Sequence, residues 1–205
     1  MLILIIFGQV CAAAAAEAGQ YTKLSELADQ KIGVILGANH DIFIAEKIPD
    51  AKVEYIKDLS AATLALETGK IAAFANMLPT AIYLTHANQK ISFITEPLKN
   101  DYNYASFTNS ERGREICAQY EKFFKSLWYD GTIKKLADKW IFSEDDQARV
   151  IDENYLNLPT QASQSLNGLL KIAVDTGRMP FAYVKDNKIT GYDIELISRF
   201  CKAMG

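Results

Sequence analysis

From residue 31 onward, short apolar runs alternate with stretches of helical periodicity. The pattern predicts strands over 31–36, 53–56 and 71–75, helices over 41–47 and 59–68, and a further helix opened by Pro79. Gly69 closes the second of these helices, and strands follow near 91–94 and 102–107. Such alternation predicts an α/β lobe with a mainly parallel sheet and helices on both faces. Ser110 is a good amino-terminal cap, and Ile116, Tyr120, Phe123, Phe124 and Leu127 recur on one helical face behind it. Asp130-Gly131 stops that helix, and Thr132 begins another whose Ile133, Leu136, Ala137 and Trp140 fall on one stripe.

The pattern then weakens and restarts. Residues 144–151 read as a further helical turn or two, and 153–168 is polar, a linker by composition. Residues 169–175 form a mostly apolar strand, Asp186-Asn187 turns a hairpin, and Gly191-Tyr192-Asp193 leads into an amphipathic helix ending at Gly205. One strand pair and one helix bury too little apolar surface to fold alone. This stretch therefore leans on residues 1–168 or on chain beyond Gly205.

Residues 1–20 differ in kind. Leu2 to Phe7 is a compact apolar run, followed by Cys11, five alanines and Glu17-Ala18-Gly19-Gln20. The apolar core and small residues fit a signal peptide, and hence export to the periplasm, although no Lys or Arg stands near Met1. The run is shorter than the ~20 apolar residues that span a bilayer. Val10 stands where a small residue would precede a lipid-bearing Cys11, so lipid anchoring is disfavoured.

Composition narrows the function classes. Apolar residues are 49% and charged residues 23%, as in ordinary soluble globular chains. The net charge of −3, with acids and bases interspersed, argues against a nucleic-acid partner. Cys117 and Cys201 both sit at apolar helical positions; buried free thiols and a bridge are both open readings. No Cys-x-x-Cys is present, and His40 and His86 stand far apart, so no metal site is indicated. The chain also lacks Gly-x-Ser-x-Gly, His-Glu-x-x-His, a Gly-rich phosphate loop, and a Cys beside a His, so neither an enzyme nor a bound cofactor is expected.

Two places carry binding chemistry. In open α/β sheets, ligands sit beyond the carboxyl ends of strands, where helix-start amides hold anions. Gly37-Ala38-Asn39-His40 lies between the first strand of this series and its helix, where an ordinary connecting loop is the alternative. In the last segment, Asp175 ends a strand and could face a basic group, and Phe181 and Tyr183 alternate along the hairpin as packing or stacking residues. Asp193 at a helix start is accounted for by capping.

The run from Met179 to Gly205, with Pro180, Phe181, Tyr183, Gly191, Tyr192 and Asp193, resembles the opening of the bacterial family 3 extracellular solute-binding proteins, the amino-acid receptors of ABC importers. Residues 24–141 resemble the later part of the same family, through LSELADQKIGVILG, ETGKIAAF and FKSLWYDGTIKKLADKW. The resemblance runs in the order end, linker, beginning, as in the front of a tandem receptor. It implies a second-lobe-like domain over 21–152, a linker over 153–168, and the truncated start of a further domain over 169–205. The implied fold is the type II periplasmic-binding fold, which closes over a small polar solute such as an amino acid and presents it to ABC permease subunits, without catalysis.

Carried over by position, the resemblance implies that the loop after Gly37 holds the ligand carboxylate. Ala38 and Asn39 replace the usual hydroxyl residues there. Near Met77 the family usually places an Asp that pairs with the ligand's α-ammonium, so this unit is not expected to capture amino acids in the family's manner. Asp175 matches a position that often touches the ligand side chain, Phe181 lies in a pocket-lining motif, and Arg178 replaces a frequent aromatic. The alternatives on the same fold are the periplasmic input domain of a membrane histidine kinase and the receptor module of a peptidoglycan-cleaving enzyme.

Overall fold

The computed structural model describes residues 9–14, 21–100, 102–156 and 169–205. The chain divides into two compact units, 1–104 and 105–205.

In the first unit, strands β1 (Gln9–Ala14), β2 (Lys31–Ile35), β3 (Lys52–Ile56), β4 (Ala73–Met77) and β5 (Ser92–Phe93) pair in the order β3-β2-β4-β1-β5. A short β6 (Lys99–Asn100) also pairs with β1. The strands β2, β3 and β4 run parallel, and β1 runs antiparallel between β4 and β5. Helices α1 (His40–Lys47), α2 (Leu59–Glu67) and α3 (Leu78–Ala87) connect them.

Alternation along each strand gives the sheet two buried faces. Ile32 and Val34 of β2, with Ala73 and Ala75 of β4, pack with Phe43, Ile44 and Ile48 of the α1 side. Phe74 of β4 instead packs with Ile56, Ile71, Ala62 and Leu66 of the α2 side and Ala81 and Leu84 of α3. Gly33 sits at the tightest point of that second face, where a Cβ would lie 2.6 Å from Ile56 Cδ1 and 2.7 Å from Ile71 Cδ1. Its role is to let two isoleucines close over the strand. Asp58 caps α2 by accepting from the Ala61 amide at 2.9 Å, and the left-handed Gly69 at φ +67° ends that turn.

The second unit contains α4 (Glu111–Tyr129), α5 (Thr132–Ala137), a π turn (Asp138–Phe142), the hairpin strands β7 (Gly177–Arg178), β8 (Ala182–Lys185) and β9 (Lys188–Thr190), and α6 (Tyr192–Met204). Ser110 caps α4 through the Gly113 amide. At the break to α5, Gly131 adopts φ +78° and Asp130 accepts from the Thr132 amide at 2.8 Å. Asp186 and Asn187 both take positive φ, the requirement of a tight two-residue hairpin. Gly191, at φ +131°, lies where a Cβ would stand 2.2 Å from the Phe181 carbonyl oxygen. Only glycine permits the Tyr192 and Asp193 amides to donate to Pro180 and Phe181.

Several expectations need correction. The strand expected over 71–75 is shifted to Ala73–Met77, because Ile71 is spent covering Gly33. No strand forms over 102–107; Phe107 turns inward and its ring lies 5.7 Å from that of Tyr120. Residues 169–175 form no strand either. Leu170, Ile172 and Val174 would share one face of such a strand, which needs a partner along its edge, and Leu169, Leu170 and Ile172 remain exposed. Of the expected leader over 1–20, residues 1–8 and 15–20 lie outside the described residues, and Gln9–Ala14 is strand β1. Most of the expected linker, 157–168, also lies outside them, while Glu153–Tyr155 forms a single 3-10 turn. Among the described residues no helix is long and apolar enough to cross a membrane.

Candidate functional site

The candidate positions of the first unit share one sheet edge. Parallel pairing sets Ile32 opposite Ala73 and Gly33 opposite Phe74, so the loop after β2 and the end of β4 emerge on the same side. Gly37 turns the chain with φ +88°, and the Ala38 amide closes the turn onto the Ile35 carbonyl at 3.0 Å. Asn39 then stands at the N-cap of α1, its side chain making no cap bond, and His40 opens the helix with its ring 6.5 Å from Phe43. Met77 ends β4 and is the N-cap of α3, with Pro79 in the first turn.

Among the described residues, two side-chain amides meet Met77. The Asn76 side chain accepts from the Met77 amide at 2.7 Å, and the Asn103 amide group donates to the Met77 sulfur at 3.7 Å. Neither Asn stood out in the sequence, since a lone amide beside an apolar strand end has no periodic signature. The first turn of α1 carries its own carboxylate: Asp41 accepts from the Tyr55 hydroxyl at 2.8 Å. That hydrogen bond, with the charge of Asp41 behind it, raises the pKa of Tyr55.

The remaining candidates belong to the second unit. Asp175 is exposed and its carboxylate accepts from the Gly177 amide at 2.9 Å, a local turn. Arg178 lies with its guanidinium carbon 5.8 Å from the centre of the Phe181 ring. Phe181 is buried at 3% exposure and meets Tyr192 edge-on at 6.1 Å, so its ring is spent on packing. Asp193 lies in the first turn of α6, and burial raises its carboxyl above the ordinary range, with nearby Arg178 pulling the other way.

Sequence reasoning missed Glu195, which is fully buried. Its carboxylate takes Lys139 Nζ at 2.6 Å, Trp140 Nε1 at 2.8 Å, and Arg199 through Nη2 at 2.7 Å and Nε at 3.2 Å. Arg199 in turn stacks 4.1 Å from the centre of the Tyr155 ring. The available signal was a carboxylate on the apolar stripe of α6, where Tyr192, Leu196 and Phe200 recur every four residues. Cys117 and Cys201 are free and half-buried, and burial raises the Cys201 thiol.

Comparison with solved structures decides the fold. The second substrate-binding domain of a putative amino-acid ABC transporter from Streptococcus pneumoniae Canada MDR_19A superposes with a TM-score of 0.56 at 18% identity, covering 67% of this chain and 63% of that one. The fold is that of amino-acid substrate-binding proteins. An L-arginine-bound substrate-binding protein from the same organism superposes with a TM-score of 0.54 at 21% identity, over 63% of this chain and 55% of that one. The GluR0 ligand-binding core in complex with L-glutamate gives 0.55 at 16% identity, over 65% and 60%. The chain thus spans roughly three-fifths of the length of these structures. No family model matches it, and no curated protein matches it.

Proposed function

We propose that the first unit is a solute-binding lobe of an exported receptor that delivers a small polar solute, an amino acid or a relative of one, to ABC permease subunits. The observation that carries this reading is the shared sheet edge. The Gly37–His40 loop and Met77 leave adjacent parallel strands on the same side, where strand ends and helix starts meet in binding sites of open α/β sheets. Similarity to amino-acid substrate-binding proteins supports it at the level of the fold. Met77, with the Asn76 and Asn103 amides around it, brings no carboxylate of its own to the end of β4, where the resemblance puts an Asp. A buried charge left without its partner costs about 3–5 kcal/mol, and about 1.4 kcal/mol is tenfold in affinity. On this reading the end of β4 holds its solute without an ammonium pairing at Met77.

The test is calorimetric titration of the whole chain and of Met77→Asp with α-amino acids and their deaminated analogues. Wild type is expected to treat each pair within about tenfold, since less than about 1.4 kcal/mol rests on the ammonium. Met77→Asp shifts preference toward the amino acid by ~100-fold, the same arithmetic reversed. Micromolar binding of a common amino acid by wild type, with its deaminated analogue silent, refutes the proposal.

A further inference from the structure

We infer that the outer edge of β3 is a self-association surface, on which a second copy of this chain lays its own β3 antiparallel about a two-fold axis at Val53. The inference is independent of what the first unit binds.

The strand β3 ends the sheet order, and among the described residues no strand pairs with its outer edge. Its inner edge is taken by β2: the Lys52 amide donates to the Gln30 carbonyl at 2.8 Å, and the Ile56 carbonyl accepts from the Leu36 amide at 2.9 Å. Backbone groups alternate sides along a strand, so Lys52, Glu54 and Ile56 bond inward while the N–H and C=O groups of Val53 and Tyr55 point outward. Such an edge templates another strand unless a proline, a bulge or a covering segment blocks it. Residues 52–56 contain no proline, they pair with β2 in unbroken register, and Tyr55 is 55% exposed.

The side chains select the occupant and the register. Lys52, Val53 and Glu54 read cation, apolar, anion, a pattern that complements itself when Val53 meets its own copy. The two-fold then sets Lys52 of each copy opposite Glu54 of the other, at the non-hydrogen-bonded positions where side chains stand closest, and Tyr55 opposite Ala51. Opposite charges directly across a strand pair stabilise it, and like charges destabilise it. Centring on Glu54 instead would oppose two carboxylates, and centring on Tyr55 would set Glu54 against Ile56. Within one copy Lys52 stands beside Lys31 of β2, a like charge, so an acid arriving from outside offsets that repulsion. Glu54 takes Lys70 at 2.6 Å through Oε1, and a carboxylate has a second oxygen to offer. At the axis the Val53 amides and carbonyls bond reciprocally, the closed contact of a symmetric dimer.

Sedimentation equilibrium of the whole chain, from low micromolar to near-millimolar concentration, is expected to show a reversible monomer–dimer equilibrium. Lys52→Glu opposes carboxylates at both cross-strand pairs and Glu54→Lys opposes ammonium groups, so each variant alone should weaken the dimer by ~10-fold or more. Mixed in equal amounts, the two variants should regain wild-type affinity as a heterodimer, because every cross-strand pair then joins an acid to a base. Val53→Pro removes an outward N–H and spares the bonds to β2; it should weaken the dimer by a similar factor while the circular dichroism spectrum stays that of wild type. A chain that remains monomeric throughout, a dimer that neither charge reversal nor Val53→Pro weakens, or a mixture that associates no more tightly than either variant alone overturns the inference.

Discussion

Gly33→Ala isolates a single packing contact. The added methyl would lie 2.6 Å from Ile56 Cδ1, 2.7 Å from Ile71 Cδ1 and 3.4 Å from Phe74 Cδ2. All three neighbours are core residues at 7% exposure or less, so none can swing into solvent. Overpacking of this kind costs about 1–3 kcal/mol. Against it, alanine restricts the unfolded chain and returns about 0.4–1 kcal/mol. The net expectation is a loss of up to ~2.5 kcal/mol, or several degrees at about 2–4 °C per kcal/mol for a chain of this size. The clash can be separated from the entropy by a double-mutant cycle with Ile71→Val, which removes one of the offending carbons. Ile71→Val alone costs about 0.5–1.5 kcal/mol, and in the Gly33→Ala background it should cost less by ~1 kcal/mol, because the methyl now fills the vacated space. The assay is urea denaturation followed by far-ultraviolet circular dichroism. Effects that add to within ~0.3–0.5 kcal/mol, the usual agreement for independent sites, would refute the claim that Gly33 exists to seat the two isoleucines.

Other perturbations follow from the same geometry. Gly191→Ala meets backbone rather than a movable side-chain end, at 2.2 Å and a φ of +131°; limited proteolysis should find β9 and α6 cleaved far faster than in wild type, and unchanged resistance would contradict the contact. Asp193 has its carboxyl raised by burial, so its contribution is present below the unfolded carboxylate value of about 3.9 and is lost as pH rises through the folded one. Asp193→Asn does not titrate, and urea midpoints should therefore show it gaining on wild type across that window, with a constant difference above it; a mutant that loses ground to wild type as pH rises would count against the assignment. Removing residues 1–14 takes out β1, which pairs with both β4 and β5. The truncated chain should melt lower and exchange its β4 amides faster, whereas identical protection would show that the strand adds nothing to the sheet.

What the sequence disclosed, and what it hid, divides along the range of the interaction. The strand over 31–35, the helices behind it, the Ser110 cap and the Asp130-Gly131 break are set within a few residues by periodicity, capping and backbone freedom, and all are legible in the chain. So is the Asp186-Asn187 turn, whose positive φ angles belong to those residue types. The pairing of β1 was hidden because its partners Ala73–Met77 and Ser92–Phe93 lie 59 residues or more along the chain, beyond the reach of any local pattern. Residues 169–175 show the converse: the local pattern is that of a strand, yet among the described residues no strand pairs with it and none forms.

The candidate site divides in the same way. Gly37 is marked by its place after a strand, but the amide contact at Met77 depends on Asn103 reaching it across a sequence separation of 26. Glu195 carries the argument furthest. As one charge on the stripe of Tyr192, Leu196 and Phe200 it looks like a flaw in an amphipathic helix, and by local rules it should weaken the packing. Its partners, Lys139 and Trp140, each fall on a helical segment that has its own sufficient explanation as solvent-facing cation and core aromatic. Only when the two segments meet does the acid stop being a defect, because Lys139, Trp140 and Arg199 then occupy both of its oxygens. An apolar residue at that position would leave α6 free to bury its stripe against any greasy face, whereas the carboxylate admits only one that supplies donors at the right depth.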